Sequence, residues 1–407
     1  MGATARIGMA CLAWLLCAAP GQAQHWSFQM YGPDQGLTNP TIIALHQDRQ
    51  GFIWASTEGG LFRYDGDRFR PFGADSASKK AYVNSMHSSI DGQFWAGSSA
   101  GLFRWTGDAF APVPEFADVE LAGGQLIGSD ATSLYVATAS GLRSMPLLGR
   151  GQASLVSPKQ SRSVFVASDR TVWFGCGLVM CSLKDGRERQ WDGESGVTGG
   201  PWASIVEDTA GRLWIRSPER VLVREPSAAR FHEVPALPKL ASVRTSPLSV
   251  NRLGQVLIPH DAGLIICGGD DCRDYGTESG LRRAEVYTAI EDREGSLWLG
   301  YSGHGVARWL GRDQWRSFAE EEGLASPAIW CIVRDAAGDL WVGTTRGLFR
   351  GAQVNGRWRF RHSDAVGELS VYGMAAEADG SLWVGTRQSG ANGLVRYYPR
   401  TGRRLVY

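Results

Sequence analysis

Apolar and polar positions along this chain alternate in short bursts, each closed by a turn, and the stretch from Gly323 to Arg350 shows the unit most completely. Ala328-Ile329-Trp330-Cys331-Ile332-Val333 is an apolar run short enough for a buried strand. Asp335-Ala336-Ala337-Gly338 reads as a turn, because an Asp at the first turn position accepts hydrogen bonds from amides two residues on. Leu340-Trp341-Val342-Gly343-Thr344 predicts a second strand, and Leu348-Phe349-Arg350 opens a third. A meander this small cannot bury both faces alone, so it must stack on copies of itself.

The copies are present. Asp48-x-x-Gly51-x-x-Trp54 leads to Gly60-Leu61-Phe62-Arg63, and Gly92-x-x-Trp95 leads to Gly101-Leu102-Phe103-Arg104. Tyr135 stands in the aromatic place of a third copy, Trp173 of a fourth and Trp214 of a fifth. Leu257 marks a sixth, and Trp298, Trp341 and Trp383 complete nine, at a spacing near 40 residues. A period near 40 with four strands per unit predicts an all-β fold of four-stranded β-propeller blades. The tryptophans are expected to pack between blades, each ring contributing about 2–3 kcal/mol. The Asp-x-x-Gly carboxylates are expected to cap turns, since a group recurring once per blade lies on a ring and does not converge.

The pattern Asp-x-x-Gly-x-ϕ-Trp-ϕ-Gly-Thr-x-x-Gly-Leu-x-Arg, with ϕ apolar, resembles the two-component regulator propeller repeat. It is nearly complete at 335–350 and good at 48–64 and 292–308. The resemblance implies the periplasmic sensor region of a hybrid histidine kinase or of a propeller-fronted diguanylate cyclase. Gln314-Trp315-Arg316-Ser317-Phe318 repeats the pattern of His25-Trp26-Ser27-Phe28. If the first strand of the chain completes the seventh blade, residues 24–311 form one seven-bladed ring. Residues 312–407 then begin a second ring, of which two blades are present; one eight- or nine-bladed ring is the alternative. Two blades without their ring read as the front of a longer receptor, expected to continue into a transmembrane helix and an output domain.

Residues 1–23 stand apart from the repeats. Arg6, an apolar run from Ile7 to Ala19 and Gly21-Gln22-Ala23 read as a cleaved signal peptide, placing the rest in the periplasm or outside the cell. The two pairs Cys176/Cys181 and Cys267/Cys272 then meet an oxidising compartment, where each can close a hairpin; a buried thiol is the other reading of Cys176. Gly268-Gly269-Asp270-Asp271 lies inside a repeat and reads as a loop.

Charge changes the picture only by exclusion. Lys+Arg 42 against Asp+Glu 41 gives no basic stripe for nucleic acid. Membrane attachment is expected only through a C-terminal region beyond this chain, and homodimerisation of a full receptor is left open. No nucleophile elbow, zinc-binding His pair or phosphate loop is visible, so neither catalysis nor a cofactor or metal is expected. A ligand is expected at the mouth of the central channel, on the loops after each Trp strand and on entering segments. Those supply Asn39, Glu58, Trp202, His260, Asp261, Tyr301, His304 and Arg346, a set suited to a small polar ligand such as an oligosaccharide or peptide. The function expected is therefore ligand sensing. The alternative is a stand-alone secreted propeller lyase or hydrolase acting on glycans or peptides, for which only His260 and His304 speak.

Overall fold

The computed structural model describes residues 28–72, 82–117, 119–147, 151–234, 237, 240, 246–310, 318, 320–326, 328–354, 357–388 and 391–407. The expected signal peptide and the segments around Trp26 and Trp315 lie outside them. The described residues form nine four-stranded antiparallel sheets, at 42–72, 83–112, 127–157, 161–191, 204–233, 249–275, 286–309, 329–363 and 370–406. Their helical segments are three-residue 3-10 turns, and no helix among them is long and apolar enough to cross a membrane. Two compact units result, one holding residues 25–315 and the other residues 316–407.

In the larger unit the seventh sheet has only three consecutive strands of its own. Phe28–Tyr31 supplies the fourth, pairing antiparallel with Val306–Trp309 from Phe28 opposite Trp309 to Tyr31 opposite Val306. Each of these seven sheets packs on the next through its innermost strand, and the seventh packs on the first. The Trp-ϕ-Gly step of the repeat explains how sheets come so close. A Cβ on Gly300 would sit 2.6 Å from Ile42 Cγ2 in the first sheet, and one on Gly343 would sit 2.6 Å from Val371 Cγ1 in the ninth. Only glycine leaves that room.

The repeat carboxylate does more than cap its turn. Asp48 Oδ1 accepts from the amides of Gln50 and Phe52, while its Oδ2 accepts the Trp54 indole N–H at 2.7 Å. The same lock recurs at Asp208–Trp214 (2.9 Å), Asp292–Trp298 (2.7 Å) and Asp335–Trp341 (2.8 Å). Ser89 replaces the carboxylate under Trp95, and Asp130 takes the Tyr135 hydroxyl. An indole can thus be fully buried with its one donor satisfied. Across the strand pair an arginine covers the ring: Arg308 lies 4.8 Å from the Trp298 ring and Arg350 5.7 Å from that of Trp341. Trp54 packs on Phe94, Trp105 and Phe110 of the second sheet, so the ring is mortar between sheets. Trp383 departs from this pattern, being only half-buried against Tyr407 and Arg396.

Both cysteine pairs are bonded. Cys176–Cys181 joins the second and third strands of the fourth sheet, and Cys267–Cys272 links directly opposed residues of a hairpin whose turn is Gly268–Asp271. Cys331 is free and half-buried, and burial raises its thiol pKa.

Candidate functional site

The seven inner strands enclose a cavity of about 300 Å³. Ile43, Asn84, Gly124, Arg162, Ala203, Ser246 and Tyr287 line it, one from each sheet in turn. Every one stands eleven residues before the aromatic place of its repeat, that is before Trp54, Trp95, Tyr135, Trp173, Trp214, Leu257 and Trp298. The rest of the described lining is Ala122, Gly123, Pro201 and Pro247, so the wall is built from the starts of inner strands and the segments that enter them.

The next position along each inner strand carries the staples that hold this wall. Ser85 Oγ accepts from Leu126 N of the third sheet's entry, Ser163 Oγ donates to Trp202 O, and Ser204 Oγ accepts from Leu248 N. Gln125, in the same column, reaches past the fourth sheet. Its Oε1 accepts from Ile205 N (2.7 Å) and Ser204 Oγ (2.9 Å), and its Nε2 donates to Ile205 O (2.7 Å). A side chain can bridge the third and fifth sheets only along the inside of the ring. Further along, His46 and His87 pair with Ser88 and Ser129 of the following sheets, each at 2.8 Å. Burial pushes their pKa values down to about 3 and about 4.

The residues expected at the channel mouth do not line this cavity. Trp202 is fully buried in the core shared by the fourth and fifth sheets, beside Trp173 and Ile215, and its indole N–H has no partner. Its position, one residue before Ala203, falls in the column occupied by Ile42, Val83 and Val286, whose side chains face the neighbouring sheet. Tyr301 is likewise fully buried, in a core with Leu257 and Val286, and burial raises its phenol to about 12. Neither ring is open to a ligand.

His260 is buried at the end of its strand. Its Nε2 pairs with Asp274 at 3.0 Å, and its Nδ1 lies 3.3 Å from both Ala262 N and Asp261 Oδ1. Asp261 is exposed beside it. His304 is exposed and turns its Nδ1 to Ser302 O at 2.9 Å. The two histidines therefore have separate partners on different sheets. Asn39 accepts from Thr41 N and lies against Gly59, with Glu58 exposed next to it. Arg346 is exposed in the smaller unit. Among the described residues no group of three or more His, Cys, Asp or Glu could hold a metal ion.

The missed residues left a trace in the sequence. Aligned on the aromatic place, the column eleven before it reads Ile, Asn, Gly, Arg, Ala, Ser, Tyr, varied in size and polarity, whereas four of the seven places in its neighbour toward the N-terminus hold a large apolar residue, Ile42, Val83, Trp202 and Val286. A column free of a packing requirement is one that faces a void.

The pattern of the two-component regulator propeller repeat matches residues 36–59 and 323–346. An extracellular domain assigned to the hybrid two component system BT3049 of B. thetaiotaomicron aligns with a TM-score of 0.60 at 21% identity, over 93% of this chain and 54% of that one. The corresponding domain of BT4673, from the same organism, gives 0.57 at 18% identity, over 94% and 53%. The chain spans about half the length of both. Virginiamycin B lyase of Staphylococcus aureus gives 0.54 at 12% identity, over 70% of this chain and 99% of that one. At such identities the likeness is one of fold. No curated protein matches the chain. The chain has the fold of β-propeller blades, and two of its repeats match the two-component regulator propeller.

Proposed function

We propose that this chain is the extracytoplasmic ligand-sensing propeller of a signal-transduction receptor and that its ligand, a small polar molecule such as an oligosaccharide or peptide, enters the central cavity. The observation that carries the reading is the cavity wall itself, to which seven sheets each give one residue under no packing constraint. A wall of this kind can change specificity without changing the fold. The repeat family and the two-component extracellular domains of like fold support the receptor context. A lyase or hydrolase is the weaker reading. The described lining offers Arg162 and Tyr287 as its titratable side chains, with no carboxylate or histidine among the described residues to serve as general acid or base.

The test is a thermal-shift screen of sugars and short peptides against the purified chain, with mass spectrometry of each mixture. A ligand should raise the unfolding temperature unchanged in mass, and Ile43→Trp, which fills the cavity, should abolish the shift. Binding that survives Ile43→Trp would place the site elsewhere, and formation of product would establish the enzyme reading.

A further inference from the structure

The cavity has a charge of one sign. Among its described lining residues only Arg162 is formally charged, and no Asp or Glu is among them. Three arginines of the repeat are engaged: Arg308 by Asp292 and the Trp298 ring, Arg350 by Asp339, Arg396 by Asp379. Arg162 is exposed into the cavity, and no hydrogen bond or ion pair engages its guanidinium among the described residues. The polar groups beside it are already oriented. Asn84 Nδ2 donates to Leu121 O at 2.7 Å, which holds the amide in place and leaves its oxygen free to accept, and Ser246 Oγ donates to Val286 O.

A second arginine is tied to the wall through its backbone. Arg216 follows the Trp214 strand at the place where Gly175 and Gly300 sit in other sheets, and its carbonyl accepts from the N–H of the cavity residue Ala203 at 2.9 Å. It is fully buried, and its Nη1 donates to Pro259 O, yet its Nε and Nη2 have no partner among the described residues. Burial lowers its pKa only to about 10, so it is a cation at neutral pH, with Glu285 opposing part of its field. A recess whose described lining holds one free guanidinium and no acidic side chain favours an anion.

Resting on the sensing reading, we infer that the cavity is an anion site in which Arg162 receives the carboxylate of a small ligand. The planar fork of a guanidinium matches a carboxylate with two parallel hydrogen bonds. Tyr287, Ser246 and Asn84 lie on other sheets of the same wall and face the remainder of the molecule. A carboxylate can come from an acidic sugar or from the C-terminus of a peptide, and the chemistry at Arg162 is the same.

The experiment has two arms, both on the whole chain. Crystals soaked in sodium bromide should show an anomalous peak within hydrogen-bonding reach of the Arg162 guanidinium. Bromide confined to exposed cations such as Arg187, with the cavity empty, would overturn the anion site. Titration calorimetry then compares glucuronate with glucose, and N-acetyl-dialanine with its C-terminal amide. At least one acid should bind ten-fold or more tightly than its neutral counterpart, and which pair discriminates identifies the source. Arg162→Gln should erase that preference and Arg162→Lys retain part of it, both with the unfolding temperature of the parent. A neutral ligand that binds as well as the acid, and is excluded by Ile43→Trp, would sink the anion proposal while leaving the cavity reading intact. Binding indifferent to Ile43→Trp would sink both.

Discussion

Leu45 and Ile332 hold the same place in their repeats, nine residues before Trp54 and Trp341, yet Leu45 is 6% exposed and Ile332 61%. Ile42 and Ile329 differ likewise, at 0% and 42%. In the seven-sheet unit Ile42 is covered by the seventh sheet at Gly300; in the two-sheet unit no described sheet lies on that side of Ile329. The column that lines the cavity in the larger unit holds Trp330 and Tyr372 in the smaller one. Both rings are about half exposed and rest on each other at 4.8 Å. The local sheet forms equally in both units. What differs is whether a neighbour covers the inner strand, and that is decided by the sheet before it rather than by the repeat.

The largest expected effect follows from dissection. Residues 25–315 expressed alone should unfold cooperatively, because every inner strand there is covered. Residues 316–407 alone should bind a hydrophobic dye and lack a sharp transition, since Ile329, Trp330 and Ile332 are bare. Equal cooperativity of the two fragments, followed by calorimetry, would break the comparison.

Next in size, Leu45→Ala should cost about 3 kcal/mol in denaturant unfolding, the range for a truncated core leucine. Ile332→Ala should stay within about 0.5 kcal/mol, as at an exposed site. Asp292→Ala removes the acceptor of a buried indole, of the Ser296 amide and of Arg308, and should cost about 3 kcal/mol. Asn251→Ala, at the repeat whose aromatic place is Leu257, leaves no indole stranded and should cost about 1 kcal/mol. Similar losses for the two would mean that the carboxylate acts only as a turn cap.

A smaller effect depends on pH. His46 and His87, held near 3 and 4 by burial, resist a proton that the unfolded chain accepts near pH 6.5. Stability of the larger unit should therefore be full above about pH 6.5 and fall as pH drops toward 4. The slope should reach at most about 1.4 kcal/mol per pH unit for each histidine. Val333 and Ala375 occupy this column in the smaller unit, which should show no such window. Replacing both histidines by Gln should flatten the slope, and an unchanged slope would remove them as its source. The smallest expected change is at Arg216. Arg216→Met exchanges a buried, half-satisfied cation for an apolar chain of similar reach, and thermal unfolding should show no loss or a gain of about 1 kcal/mol. A large loss would mean that the hydrogen bond from Arg216 to Pro259 O holds the two sheets together.

Much of the fold was legible because its determinants are local and repeated. The turn at Asp335, the strand at Leu340–Thr344 and the ring of Trp341 recur with a fixed spacing, and one copy can be read against the others. The indole lock was not legible, since a carboxylate six residues from a tryptophan says nothing about which way either turns. The residues expected to contact a ligand do not meet at the cavity, for a related reason. Trp202 and Tyr301 look like binding residues by type, but a strand buries residues by the face they present, and theirs are sealed between sheets.

The sequence by itself determined the blade: its period, its turns, its alternating strands and its aromatic wedge, all set by interactions within about 40 residues. Only the tertiary structure decided what encloses the axis. The pairing of Phe28–Tyr31 with Val306–Trp309 joins segments far apart in the chain, and it brings Ile43, Asn84, Arg162 and Tyr287 around one cavity. That arrangement depends on how the sheets stack in sequence around a ring, a property no single repeat contains.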